Sequence, residues 1–114
     1  MSTHNKTYQP VQLLTVQATA DLPAYRFVSN AGALCIEGAR ALGVTEIDWL
    51  DGELASVVSL GTIVVESSEA INAGADVSSD TDGKAKTAEL NEAVNGRAID
   101  SCAGAGFIKI KLVP

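Results

Sequence analysis

Leu54-Ala55-Ser56-Val57-Val58-Ser59-Leu60-Gly61-Thr62-Ile63-Val64-Val65 is the stretch whose reading decides the fold. Leu54, Ser56, Val58 and Leu60 recur every second residue, the period of a β-strand with one covered face. Val, Ile and Thr dominate, and their branched Cβ atoms suit an extended backbone. Gly61 interrupts the run, and Ile63 and Val65 resume beyond it. A Gly inside a strand pattern marks a bend or bulge, as at the corner of a small barrel.

Working outward, the pattern repeats. Phe107-Ile108-Lys109-Ile110-Lys111-Leu112-Val113 sets Ile108, Ile110 and Leu112 on one face and both lysines on the other, a half-buried strand with one wet side. Between these stretches, Ile71–Val77 leads into Asp80-Thr81-Asp82-Gly83-Lys84-Ala85, where Asp82-Gly83 is a hairpin-turn dipeptide. Residues 88–95 read as a loop with helical tendency, ended by Asn95-Gly96. Toward the N-terminus, Leu14, Val16 and Ala18 predict a strand starting at Val11, broken by Asp21-Leu22-Pro23. Tyr25–Val28 and Ala33–Ile36 flank an Asn30/Gly32 turn and predict a hairpin. After Ala41–Thr45, Thr45 is positioned to cap one helical turn through Leu50, which Asp51-Gly52 stops. Many short strands, Gly/Asp/Asn turns and no long helix predict an all-β, single-domain barrel or sandwich over residues 11–114. Residues 1–10 carry no periodic pattern and read as an extended N-terminal arm, with Pro10 restricting its end.

The totals agree. A chain of 114 residues suits one domain, and at that length roughly two-thirds of the unfolded surface can be buried. Only 4% of residues are aromatic against 46% hydrophobic, so the core is built from β-branched and small side chains. The formal charge of −6 repels phosphate backbones and anionic lipid heads, which argues against nucleic acid and membranes as partners. The opening Met1–Lys6 is polar and no run reaches the ~20 apolar residues of a membrane span, so synthesis in the cytoplasm of the producing cell is expected.

Chemistry is sparse. The one His, His4, lies in the arm, which leaves Cys-His and Ser-His schemes without a positioned base. Cys35 and Cys102 fit no CxxC spacing and are expected as free thiols. Two Cys and one His do not complete a structural zinc site. Asp80-Thr81-Asp82-Gly83 superficially resembles the start of a calcium loop but lacks the later bidentate acid and flanking helices, so a turn is favoured. Gly104-Ala105-Gly106 precedes a strand instead of the helix a dinucleotide site requires, and reads as a hairpin turn. No catalytic, cofactor-binding or metal residue is expected. Lys84, close to a hairpin tip between Gly83 and Ala85, is similar to the modifiable Lys of lipoyl carrier domains, an alternative reading as a binding or carrier module. Trp49, flanked by Ile47 and Leu50 in an acidic loop, reads either as a core plug or, with Leu50, as an anchor between subunits.

From Ala41 onward a series of pieces stands in a particular order: Ala41–Thr45, Gly52-Glu53 before Ser56-Val57-Val58, Ile71 with Ala73–Val77, Asp80–Ala85, Gly96-Arg97-Ala98-Ile99, and Gly106–Leu112. Over about two-thirds of the chain this order resembles the capsid decoration, or cement, proteins of tailed bacteriophages. The resemblance implies a compact β domain without catalysis that stabilises the head from the capsid exterior of the virion. It implies the major capsid protein as partner and clustering around three-fold positions, as a homotrimer, with dimer and monomer as alternatives. It also implies capsid contact through the N-terminal extension, for which Thr7, Tyr8, Gln9, Pro10 and Val11 are the candidates, Tyr8, Pro10 and Val11 as anchors.

Overall fold

The computed structural model describes residues 6–113. Expectations for residues 1–5, His4 among them, lie outside the described residues. Eight strands follow in order: β1 (Pro10–Gln17), β2 (Phe27–Val28), β3 (Gly43–Thr45), β4 (Leu54–Ser67), β5 (Asp76–Ser79), β6 (Ala85–Thr87), β7 (Gly96–Ala98) and β8 (Gly106–Leu112). Among the described residues there is no helix. The fold is all-β, as the periodicity predicts.

β4 organises everything else. Its second half pairs antiparallel with β8, Ile63 opposite Ile110 and Val65 opposite Ile108. The order β4-β6-β5-β7-β8 returns to β4 and closes a five-stranded barrel. Its first half pairs with β1 on one side and β3 on the other, and β2 continues beyond β3. Gly61 stands where the strand passes from one set of partners to the other, at a φ of 103° that only Gly adopts freely. Opposite it, the β1–β4 register slips twice, between Pro10 and Gln12 and between Gln12 and Leu13, the bulged corner that the Gly predicts.

Two cores result. Phe27, Val44, Val58, Ile63, Val65, Ile71, Val77, Ile108, Ile110 and Leu112 fill the barrel. Ala18, Leu22, Val28, Ala55 and Val57 fill a smaller pocket under β1 and β3, with Leu14, Val16, Leu34, Leu42 and Trp49 around it. Val57 and Val58 are adjacent yet belong to different cores, so β4 is buried on both faces here. The single-faced reading of Leu54, Val58 and Leu60 is therefore corrected: Leu54 and Leu60 are exposed and only Val58 of the three is buried.

Two local expectations also change. The helical turn after Thr45 does not form, because its capping groups serve strands instead. Thr45 Oγ1 donates to Pro23 O and accepts from Arg26 N, and Asp48 accepts from Ala24 N. Trp49 meets Leu22 through two backbone hydrogen bonds of 2.8 Å. The expected Tyr25–Ile36 hairpin shrinks to β2 and one bridge, Val28 with Leu34. Its turn instead folds back on β1: Thr19 N donates to Gly32 O, and a Cβ on Gly32 would lie 2.0 Å from Gln17 O. The Asp82-Gly83 turn joins β5 and β6 as expected. Gly106 opens β8, and the β7–β8 connection is longer than a tight turn.

Candidate functional site

From Thr7 to Ala20 no residue carries a charge, in a chain with 22 Asp, Glu, Lys and Arg residues. This run begins as a strap. Lys6 Nζ pairs with the Asp100 carboxylate. Gln9 N donates to Thr62 Oγ1 at 2.7 Å and Thr62 N returns a bond to Gln9 O at 3.0 Å. Between them the Tyr8 ring stands edge-on to Tyr25, centroids 6.4 Å apart, and Tyr25 stands edge-on to Phe107 at 6.0 Å. The Tyr8 hydroxyl donates to Glu46 Oε2 at 3.0 Å. Burial, then that carboxylate, pushes the Tyr8 phenol well above its usual range.

Strand alternation sets Val64 on the face away from Ile63 and Val65, beside Glu66, whose partner in β8 is Phe107. Val64 is nonetheless fully buried and belongs to neither core. Phe107 shares that face, the Tyr25 and Tyr8 rings follow on from it, and Tyr8 packs against the barrel core. Lys6–Gln9 therefore lies folded over the barrel wall.

The candidate capsid residues separate accordingly. Tyr8 turns inward against the domain, whereas Thr7, Gln9, Pro10 and Val11 are exposed, Val11 at 71%. β1 starts at Pro10, so a boundary after residue 10 falls inside the strand. Leu13, also exposed, extends the uncharged surface beyond the residues that sequence reasoning singled out. Its exposure follows from alternation, because Leu14, Val16 and Ala18 turn to the smaller core and leave Leu13 on the outer face.

The second candidate, Trp49 with Leu50, lies in the loop before β4. Trp49 is half-buried against the smaller core and Leu50 is exposed, as are Ile47 and Leu54. Trp49 Nε1 is buried with no hydrogen-bond partner among the described residues. A cavity of about 260 Å³ opens there, lined by Asp21, Leu22, Pro23, Asp48, Trp49 and Leu50.

Sites for chemistry take other roles. Asp80 Oδ1 accepts from Asp82 N and Lys84 N, which closes the β5–β6 turn. That turn packs inward: Phe27 N donates to Gly83 O and Arg26 Nη1 to Asp82 O. Lys84 pairs with Glu66 at 3.5 Å, against the wall and not at a projecting tip. Among the described residues no three His, Cys, Asp or Glu side chains gather as a metal site. Cys35 is a buried free thiol whose pKa burial raises; Cys102 is free and half-exposed.

A family model described as phage cement protein matches residues 7–112. The chain belongs to the phage cement protein family. The match runs from within the strap to the last residue of β8, so both cores fall within the family's shared domain. Among solved structures, this cement-family chain is similar to the head fiber gp8.5 N base of bacteriophage phi29, with a TM-score of 0.74 at 20% identity. The likeness covers 90% of this chain and 93% of that one, and at this identity it speaks for the fold. No curated protein sequence matches.

Proposed function

We propose that this protein decorates the outside of a phage head, binding the major capsid protein and stabilising the assembled shell without catalysing a reaction. The family match over residues 7–112 carries the reading. The surface chemistry supports it. Thr7, Gln9, Pro10, Val11 and Leu13 offer a continuous exposed run without charge, which a shell surface covers at little desolvation cost. In this reading residues 1–10 and the start of β1 touch the shell, and Tyr8 positions the strap while its neighbours make contact. The capsid exterior is then the working location, after synthesis in the host cytoplasm. Copies gather around three-fold positions, with Trp49 and Leu50 between subunits, so that each bridges several shell subunits equivalently.

Sedimentation of the protein with expanded, undecorated heads tests this. Val11→Lys with Leu13→Lys should weaken binding about tenfold or more, which corresponds to ~1.4 kcal/mol, while the melt of the free protein changes little. Wild-type protein that does not sediment with heads would sink the reading. Unchanged binding by the double variant would move the contact away from the strap and β1.

A further inference from the structure

We infer that the acidic loop around Trp49 is a socket for a second copy of this chain, and that the basic stripe on the outer face of β7 and β8 is what enters it. The inference deepens the self-association part of the proposed function, and it names the two surfaces that meet.

The ion pairs among the described residues are Lys6–Asp100, Arg26–Glu66, Lys84–Glu66 and Lys86 with Glu89 and Glu92. Two groups of opposite charge remain outside them. Glu46, Asp48, Asp51 and Glu53 fall within eight residues, and the Leu22–Trp49 bridge draws Asp21 beside them. The Asp21, Glu46, Asp48 and Glu53 carboxylates accept bonds from backbone amides or from Tyr8, which shapes the loop but leaves its charge uncompensated. Arg97, Lys109 and Lys111 form the other group. Arg97 stands directly opposite Lys111 in the β7–β8 ladder, and Lys109 follows on the same face. Like charges placed opposite each other destabilise a sheet unless something neutralises them. Asp76, Arg97's neighbour on β5, makes no ion pair with it, and Asp100 is held by Lys6.

Each group has apolar surface beside it. Ile47, Leu50 and Leu54 are 56%, 63% and 68% exposed around the cavity whose wall includes Trp49. The Trp49 indole N–H, itself buried, has no acceptor among the described residues. Ile99 and Val113, exposed at 46% and 37%, flank the basic stripe. An apolar centre ringed by charge of one sign fits a surface of the opposite sign, with Trp as the buried anchor.

Among the described residues no ion pair joins the two surfaces within one copy. The socket sits at the start of β4, and the stripe lies alongside its second half, where Thr62 pairs with Lys111. Leu54 and Thr62 are separated by up to about 26 Å of strand. The contact is therefore between copies, socket to stripe. It is heterologous, because two different patches meet, and such contacts run head to tail and close into a ring when the rotation per copy allows.

Sedimentation velocity of the full chain tests the inference at about 50 mM and about 500 mM salt, on either side of strong screening. Wild type should self-associate at low salt and dissociate at high salt. Asp48→Lys with Asp51→Lys should weaken association about tenfold or more, as should Arg97→Glu with Lys111→Glu. The chain carrying all four changes restores opposite charge across the contact and should associate again. A thermal melt of each variant shows that it is folded. Wild type that stays monomeric at low salt overturns the inference, as does a fourfold variant that associates no better than the paired ones. Head binding, measured separately, distinguishes the two readings: protein that associates yet ignores heads refutes the capsid role alone.

Discussion

Replacing Gly61 by Ala should weaken the fold far more than the same change at Gly52, and the structure sets the size of the difference. Both glycines have positive φ, 103° and 91°. The conformational penalty for an L-residue is thus common to both, about 1 kcal/mol. They differ in what a Cβ meets. At Gly52 there is nothing within 4 Å. At Gly61 the methyl would stand 2.5 Å from Gln9 O and 2.8 Å from Val11 N. Both are backbone atoms, so relief means moving the start of β1, which strains the reciprocal Gln9–Thr62 hydrogen bonds at 2.7 and 3.0 Å. At about 1 kcal/mol for each bond, Gly61→Ala should cost about 3 kcal/mol in total. For a domain of this size that lowers Tm by about 12 °C, against about 4 °C for Gly52→Ala. Differential scanning calorimetry reads the melts, and hydrogen exchange at the Thr62 amide should quicken only in Gly61→Ala. Two variants melting within about 2 °C of each other would refute the argument that Gly61 is required by the closeness of β1.

Three further outcomes follow from the packing. Removing residues 1–9 takes Tyr8 away from the barrel core it packs against and should lower Tm, and a truncated chain that melts like the full one would mean that Tyr8 contributes no packing. The Tyr8 phenol, raised in the folded state, stays protonated where an unfolded tyrosine ionises, so the unfolded chain binds fewer protons above the ordinary phenol pKa of about 10. Stability should fall as pH rises past that point, and Tyr8→Phe should flatten the fall; an unchanged slope in urea melts contradicts this. Native thiol titration should find Cys102 reacting promptly and Cys35 only after unfolding, since burial both hides the Cys35 sulfur and keeps it protonated.

The β class was legible because its evidence is local. Alternation in Phe107–Leu112, the Gly61 interruption and the Asp82-Gly83 turn each depend on neighbouring residues alone, and the structure holds all three. What needed distant partners was not legible. Val57 and Val58 look alike in sequence, and only the placement of β3 and β8 assigns them to different cores. Thr45 has the credentials of a helix cap, yet Pro23 and Arg26 take its hydroxyl from 22 and 19 residues away. The strap was missed for the same reason. One aromatic residue without a period gives no pattern, although Tyr8 finds Tyr25 and Glu46 once the barrel has formed. Arg97 and Lys111 stand apart along the chain, and only the β7–β8 register makes them neighbours.

β4 belongs to both cores without a break, and that has a mechanical meaning. A force that pulls β1 and β2 away from the barrel meets no hinge or linker, because the route between the halves is fourteen residues of one covalent strand. β1 and β8 both lie antiparallel to that strand and grip it along its length, through seven and six residue pairs. Tension along β4 therefore loads those rows of hydrogen bonds in shear, many at once, and does not peel them one after another. In the proposed role of a clamp on a shell, the bolt through its two jaws is one covalent strand that turns its corner at Gly61.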